Sequence, residues 1–375
     1  MPPTSLPRHI PSAARWDVIT AAVILAIFFF LSTLMIKTVN DRYLSSQLTA
    51  PHNFGVSAED IFYDQFVVLA PKWNARTFDP SRHLHNRHMF RWVGKFAEAK
   101  FLDTVVRTAG KTAARHVYVV AFGLVVTLTL GFCFLTIAKP LSQSAISQRG
   151  AVYLSMLAVF AAHLFYLALM SPWAEGYTFL EALFLAAALY FITRQRLVLF
   201  ILIAVAAALV RESALIISSF WLIARLAHRE RLEWRDFAPP VIASLALLLL
   251  NYDLLMQSGY WQLGTYLSGG DTAVSLTNIL TMTDRSNAEK TISLLLAMSA
   301  FFPLVLILAL GGSRAPREYI AYTALYLFVV VLGNRLQNAF LYFLLTPIWT
   351  VMLGYKLAAE PMTSTTDANR PHRNE

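Results

Sequence analysis

Residues Val18 to Ile36 run for 19 positions without one charged side chain. A helix of that length is about 28 Å long, close to the ~30 Å hydrocarbon thickness of a bilayer. No other feature restricts the fold as strongly. In lipid a segment must satisfy its own backbone hydrogen bonds, and a helix does so within one stretch of chain. The run is too long for the core of a signal peptide, and no small-x-small cleavage site follows it. It therefore reads as an uncleaved first helix. Nine further apolar stretches follow, at 117–137, 151–170, 177–193, 197–210, 214–227, 238–256, 291–311, 318–333 and 336–356. Hydrophobic residues make up 57% of the chain and charged residues 14%, against about 25% in water-soluble domains. A soluble enzyme and a disordered chain are both excluded. The single cysteine, Cys133, lies inside an apolar stretch, which excludes a disulfide-stapled secreted domain. The predicted fold class is all-α: a polytopic transmembrane helix bundle of about ten spans.

Positive charge predicts orientation. With the N-terminus in the cytoplasm, the inside segments hold 15 Lys and Arg, among them Arg194, Arg196, Arg225, Arg229, Arg231, Arg235 and Arg317. The outside segments after the second span hold four: Arg211, Arg285, Lys290 and Arg335. The exception is the first outer loop, Lys37 to Arg115, with 12, and long loops count little toward this rule. The net charge of +9 thus reports membrane orientation and not a nucleic-acid partner. Residues 1–16 and 357–375 read as disordered cytoplasmic tails around a 17–356 bundle. Within 197–227 a single span would bury Arg211 at mid-membrane and place the Arg225 to Arg235 cluster outside. Two short helices meeting at Arg211 and Glu212 are expected instead. No Asn-x-Ser/Thr acceptor occurs, which favours a bacterial inner membrane.

Loop 37–115 opens with Asn40-Asp41-Arg42-Tyr43 and carries Glu59, Asp60 and Asp64. It continues through His83-Leu84-His85-Asn86-Arg87-His88 to a predicted amphipathic helix, Met89 to Arg107. Phe90, Val93, Ala97 and Phe101 form its apolar face, so it is expected to lie on the lipid surface. The histidine spacing suits one helix face poorly, and no metal site is predicted. Asp41 stands where a carboxylate meets a substrate whose tail stays in the bilayer. Exposed acids are otherwise ordinary solvated groups. Glu175, Arg211, Glu212, Asp253 and Arg335 lie at the same outer level by topology. They read either as structural ion pairs or as a site for a lipid phosphate, which guanidinium groups bind bidentately. A second outer loop, 257–290, holds Tyr260, Trp261, Tyr266 and Gly269-Gly270-Asp271.

Several of these pieces resemble the GT-C-type polytopic membrane glycosyltransferases. They are Trp173 to Phe179, the hinge Leu209-Val210-Arg211-Glu212-Ser213-Ala214-Leu215, the segment Asn86 to Trp92, and Arg335 followed by Pro347. The resemblance implies inverting transfer of a sugar from a polyprenyl-phosphate donor to a glycan, lipid or protein acceptor at the outer face. It also implies an acidic base after the first span. Asp41 matches that place, with Asp64 next and Glu59 and Asp60 as further substitutes, since the tandem acids of several branches are absent. Arg211, Arg335 and Arg87 would bind the donor phosphate, supported by Glu175 and Glu212. No cofactor is implied; a divalent metal is compatible but not indicated.

Other readings stay open. A polysaccharide polymerase or ligase of similar architecture would also use outer arginines. A transporter or flippase would use charges inside the bundle, for which His163 and Glu181 are the candidates, and breaks at Pro303 and Pro347. An assembly subunit would need none of these residues.

Overall fold

The computed structural model describes residues 12–49, 55–64, 92–170, 176–210, 215–250, 252, 316–333 and 344–359. Among them there is no strand. The helices are α1 Ser12–Leu48, α2 Ala58–Tyr63, α3 Trp92–Ala109, α4 Lys111–Gln143, α5 Ile146–Met170, α6 Gly176–Thr193, α7 Leu197–Val210, α8 Leu215–Ser218, α9 Phe220–Ala227, α10 Ala238–Leu250, α11 Arg317–Gly333 and α12 Thr346–Ala359. A short 3-10 turn, Trp234–Phe237, precedes α10. Among the described residues two helices are long and apolar enough to cross a membrane, Val18–Leu48 and Lys111–Gln143. Others are shorter. The 14 residues of α7 span only about 21 Å. The expected stretch 291–311 lies outside the described residues.

α4 is the central helix. In its most apolar stretch 56% of residues are buried, against 22% in α1. It packs against α1, α3, α6 and α12. α1 and α4 run antiparallel in constant register. Leu25 faces Gly131, Thr33 faces Gly123, and Asp41 binds Arg115. The backbones come close at Gly123, where a Cβ would stand 3.1 Å from Thr33 Cβ. Small residues permit such approach between apolar helices, and small hydroxyls reinforce it. Ser32, 1% exposed, lies with its Oγ 3.4 Å from the Gly123 carbonyl oxygen and 3.5 Å from Thr127 Oγ1.

α1 does not stop where its apolar run ends. It continues helically through Lys37 to Leu48, so Asp41 lies on a helix and not in a loop. Val39, Tyr43 and Leu44 are the reason. They recur at helical spacing and are buried, with Phe62 of α2 beside them in the core. Helix also begins at Ser12, inside the segment expected to be a disordered tail, and α12 runs to Ala359, past the expected boundary at 357.

α3 turns directly into α4 at Gly110, whose φ of 90° lies in the left-handed region that glycine tolerates. α3 packs on α4 through Leu102, fully buried, and Ala99. Phe101, on the face expected to meet lipid, is 49% exposed.

The 197–227 region folds back on itself. Phe200 of α7 and Trp221 of α9 are 5.5 Å apart, ring to ring. A straight helix would separate them by about 31 Å. The expected pair of short helices is therefore what forms, and the hinge 211–214 lies outside the described residues.

α12 runs parallel to α4 and antiparallel to α5. Cys133 Sγ reaches the Pro347 carbonyl oxygen at 3.8 Å, and Ser144 donates to Ala358 O at 2.7 Å. Trp349, Val351 and Met352 are fully buried. Pro347 sits in the first turn of α12, where its missing N–H costs nothing.

These packings gather charge at two ends. One end holds Asp41, Glu59, Asp60, Lys111 and Arg115. The other holds Arg149, Arg194, Arg225, His228 and Glu318.

The close approach at Gly123 predicts asymmetric glycine variants. Gly123→Ala should cost about 1–3 kcal/mol, because Thr33 backbone and side chain must both give way. A Cβ on Gly131 meets only Leu25 Cδ1 at 3.8 Å, so Gly131→Ala should be neutral or stabilising by about 0.5–1 kcal/mol. Thermal unfolding in detergent compares them, and equal losses would refute the register.

Candidate functional site at the end of α1 and α4

Asp41 lies just over one turn beyond Ile36, where the apolar run stops. Lys37, four residues earlier on the same helix face, places Nζ 2.8 Å from Asp41 Oδ2. From α4, Arg115 Nη2 donates to Asp41 Oδ1 at 2.5 Å. The other arm of the same guanidinium, Nη1, donates to Glu59 Oε1 at 3.4 Å. One arginine thus bridges the acid on α1 and the first acid of α2. Its side chain is 19% exposed, and that of Asp41 is 35% exposed. Pairs in such partly covered positions are screened less than surface pairs.

α2 is anchored beside them. Ser57 caps it, its Oγ accepting from the Asp60 N–H at 3.1 Å and donating to Asp60 Oδ2 at 2.7 Å. Lys111 Nζ lies 2.5 Å from Asp60 Oδ1 and 4.7 Å above the Tyr63 ring. Under the ionic layer, Phe62 packs edge-on against Tyr118 at 5.4 Å. Asp64 ends α2 and is exposed; its backbone N–H bonds to Asp60 O and Ile61 O. It falls on the Lys111 side of the cluster.

Asn40 adds a different feature. It is 8% exposed, and its side-chain oxygen has no partner among the described residues. A buried acceptor left unsatisfied is costly, and a donor from a ligand or water would relieve it.

The structure therefore brings together Asp41 and Glu59, with Asp60 and Asp64 alongside. Arg87, Glu175, Arg211, Glu212 and Arg335 lie outside the described residues. Arg115 and Lys111 escaped the sequence reading, which counted them only as loop charge. A signal was available. Antiparallel pairing of the first two long helices sets the start of the second opposite the end of the first. Among the described residues no group of three or more His, Cys, Asp and Glu could hold a metal ion.

Chemically, the cluster offers an anion three cations, Lys37, Lys111 and Arg115, that are already paired with carboxylates. A phosphate arriving at Arg115 must compete with Asp41 and Glu59. Its binding would release a carboxylate that the free protein keeps engaged.

Asp60 supplies a pH test. Its carboxyl is held below the usual value near 3.9, chiefly by the Lys111 hydrogen bond and then by Ser57. A lowered value in the folded state means that ionisation favours folding. The contribution is complete above about pH 4 and is lost as pH falls through the folded value. The pair is exposed, so the effect is small and weakens with salt. Amide protection of 61–63, corrected for intrinsic exchange, should fall on acidification below about pH 4. Asp60→Asn should lower protection at neutral pH and abolish that further loss.

No protein-family model, no curated protein and no solved structure matches this chain.

Proposed function

We propose that the protein is a multi-pass glycosyltransferase of a bacterial inner membrane. In this reading about ten spans cross the bilayer, and both termini are cytoplasmic. The enzyme transfers a sugar from a polyprenyl-phosphate donor to a glycan, lipid or protein acceptor at the outer face. The observation that carries it is the Asp41, Arg115 and Glu59 cluster, held just beyond the apolar run of α1. A donor whose lipid tail stays in the bilayer presents its phosphate at that level. Nucleotide sugars remain in the cytosol, so an outward-facing site needs a lipid-borne donor.

The acceptor hydroxyl attacks the anomeric carbon of the donor sugar from the face opposite the phosphate. The carbon–oxygen bond to the phosphate breaks, and its electron pair leaves on the polyprenyl phosphate. Phosphate is a good leaving group and needs no general acid. Asp41 takes the hydroxyl proton, a role worth roughly 10²–10⁴-fold. Arg115 joins Arg211, Arg335 and Arg87 as a group that stabilises charge on the departing phosphate. Phosphate capture by Arg115 also frees Asp41 Oδ1, so the base is unmasked when donor is bound. Asn40, beside it, offers an unmet acceptor to a sugar or acceptor hydroxyl.

Transport is the second reading, and one observation favours it. Glu181 on α6 is fully buried and accepts from Tyr326 OH of α11 at 2.8 Å. An ionisable group inside an apolar bundle is costly and marks a functional path by default.

Membranes containing wild type, Asp41→Asn or Glu181→Gln, incubated with radiolabelled polyprenyl-phosphate sugars, distinguish the two. Transfer is expected in wild type and Glu181→Gln, with a loss of at least about 100-fold in Asp41→Asn at equal protein. Turnover surviving in Asp41→Asn moves the base to Glu59 or Asp64. No turnover with any donor sinks the transferase reading.

A further inference from the structure

We propose that the end of the bundle opposite Asp41 carries a binding site for the phosphate headgroup of an anionic phospholipid. The site is the cleft between the end of α9 and the start of α11. Ala227, His228, Arg229, Pro316, Arg317 and Glu318 line it, and its volume is about 540 Å³. That is within the range of small-molecule sites, ~300–1,000 Å³.

The charges in this region sort into two groups. Arg225 is engaged by Glu230 and by Asp236, whose Oδ2 lies 3.6 Å from its Nε. Arg235 is engaged by Glu233 at 2.8 Å. Arg229 and Arg317 are exposed, line the cleft, and have no carboxylate partner among the described residues. Glu318 is the one acid lining it among the described residues, and it is turned to His228, Oε1 to Nε2 at 3.5 Å. Two free guanidiniums against one carboxylate leave a surplus of one positive charge. A phosphodiester carries one negative charge, and guanidinium pairs match its oxygens.

Asp236, 1% exposed, accepts from Trp221 Nε1 at 2.9 Å and from the Glu233 N–H at 2.8 Å. This fixes the segment after α9. Arg229 sits in the left-handed region, φ 56°, with its N–H bonded to Leu226 O at 3.0 Å, a helix-ending turn that sets where its side chain departs.

A lipid is favoured over a free phosphate by the exposed apolar residues of α9 and of the 3-10 turn packed against it. Trp234 is 93% exposed and Phe237 41% exposed, with rings 6.4 Å apart, and Leu226 is 58% exposed. Exposed aromatics beside arginines are the pattern of a membrane–water interface. A soluble phosphate has no use for them. Juxtamembrane arginines attract anionic lipid by about 1 kcal/mol each. The site is independent of the glycosyltransferase reading and needs only that the bundle sits in a bilayer.

Native mass spectrometry of the detergent-purified full chain tests it, with added phosphatidylglycerol or phosphatidylcholine. Wild type should retain phosphatidylglycerol about tenfold better or more. The double variant Arg229→Gln/Arg317→Gln should lose that preference, the single variants part of it, and Arg235→Gln none. Arg229→Lys/Arg317→Lys should recover part of it, which separates lost charge from lost folding. Equal retention of both lipids by wild type, or an unchanged preference in the double Gln variant, would overturn the proposal. Binding of inorganic phosphate without lipid preference would overturn the choice of a lipid.

Discussion

The close packing of α1 against α4 at Gly123 is the constraint on which the rest hangs. α4 is the most connected helix, and α1 can approach it only where a side chain is missing. Thr33 fills that gap, and Ser32 and Thr127 bring small hydroxyls beside it. Between apolar helices there is little hydrophobic drive to associate in lipid, so close fit and small polar contacts set the pairing. Once that register is set, everything eight residues further along α1 has a defined opposite on α4. Arg115 then meets Asp41.

That single pairing converts scattered charge into a site. Asp41 alone is an acid on an exposed helix end. With Arg115 across from it and Glu59 on the second arm of the guanidinium, it becomes part of a cluster of paired charges. α2 is held on the same layer from below by Phe62 on Tyr118 and from above by Lys111 on Asp60. The two ends of the bundle differ in kind. At the Asp41 end the described cations are mostly engaged by acids. At the other end Arg229 and Arg317 line a cleft and have no carboxylate partner among the described residues. On the membrane reading proposed here, the first end faces a lipid-borne donor and the second faces the inner-leaflet headgroups.

Much of this was legible in the residues, for particular reasons. The hairpin of α7 and α9 followed from the cost of carrying Arg211 through a bilayer and from the arginines after Ala227. Phe200 against Trp221 is its structural counterpart. Asp41 was legible from its place after the first apolar run. Arg115 was not, because a pair 74 positions apart in sequence leaves no local trace. The extension of α1 to Leu48 was missed because charge at Lys37 and Asp41 reads as a loop. Tyr43 and Leu44 supply the buried face that keeps it helical.

The sequence by itself determined that the chain is helical, that long segments avoid water, and where most helices begin and end. These are local matters: apolar run length, helical period, glycine at Gly110 and charge between runs. The tertiary structure alone decided which helices touch, in which direction and at what register. It therefore decided which cation neutralises which acid. The physical reason is that helix formation is governed by neighbours within four residues, whereas pairing depends on the shapes of two distant surfaces. A missing Cβ at Gly123 has no meaning until Thr33 is opposite it.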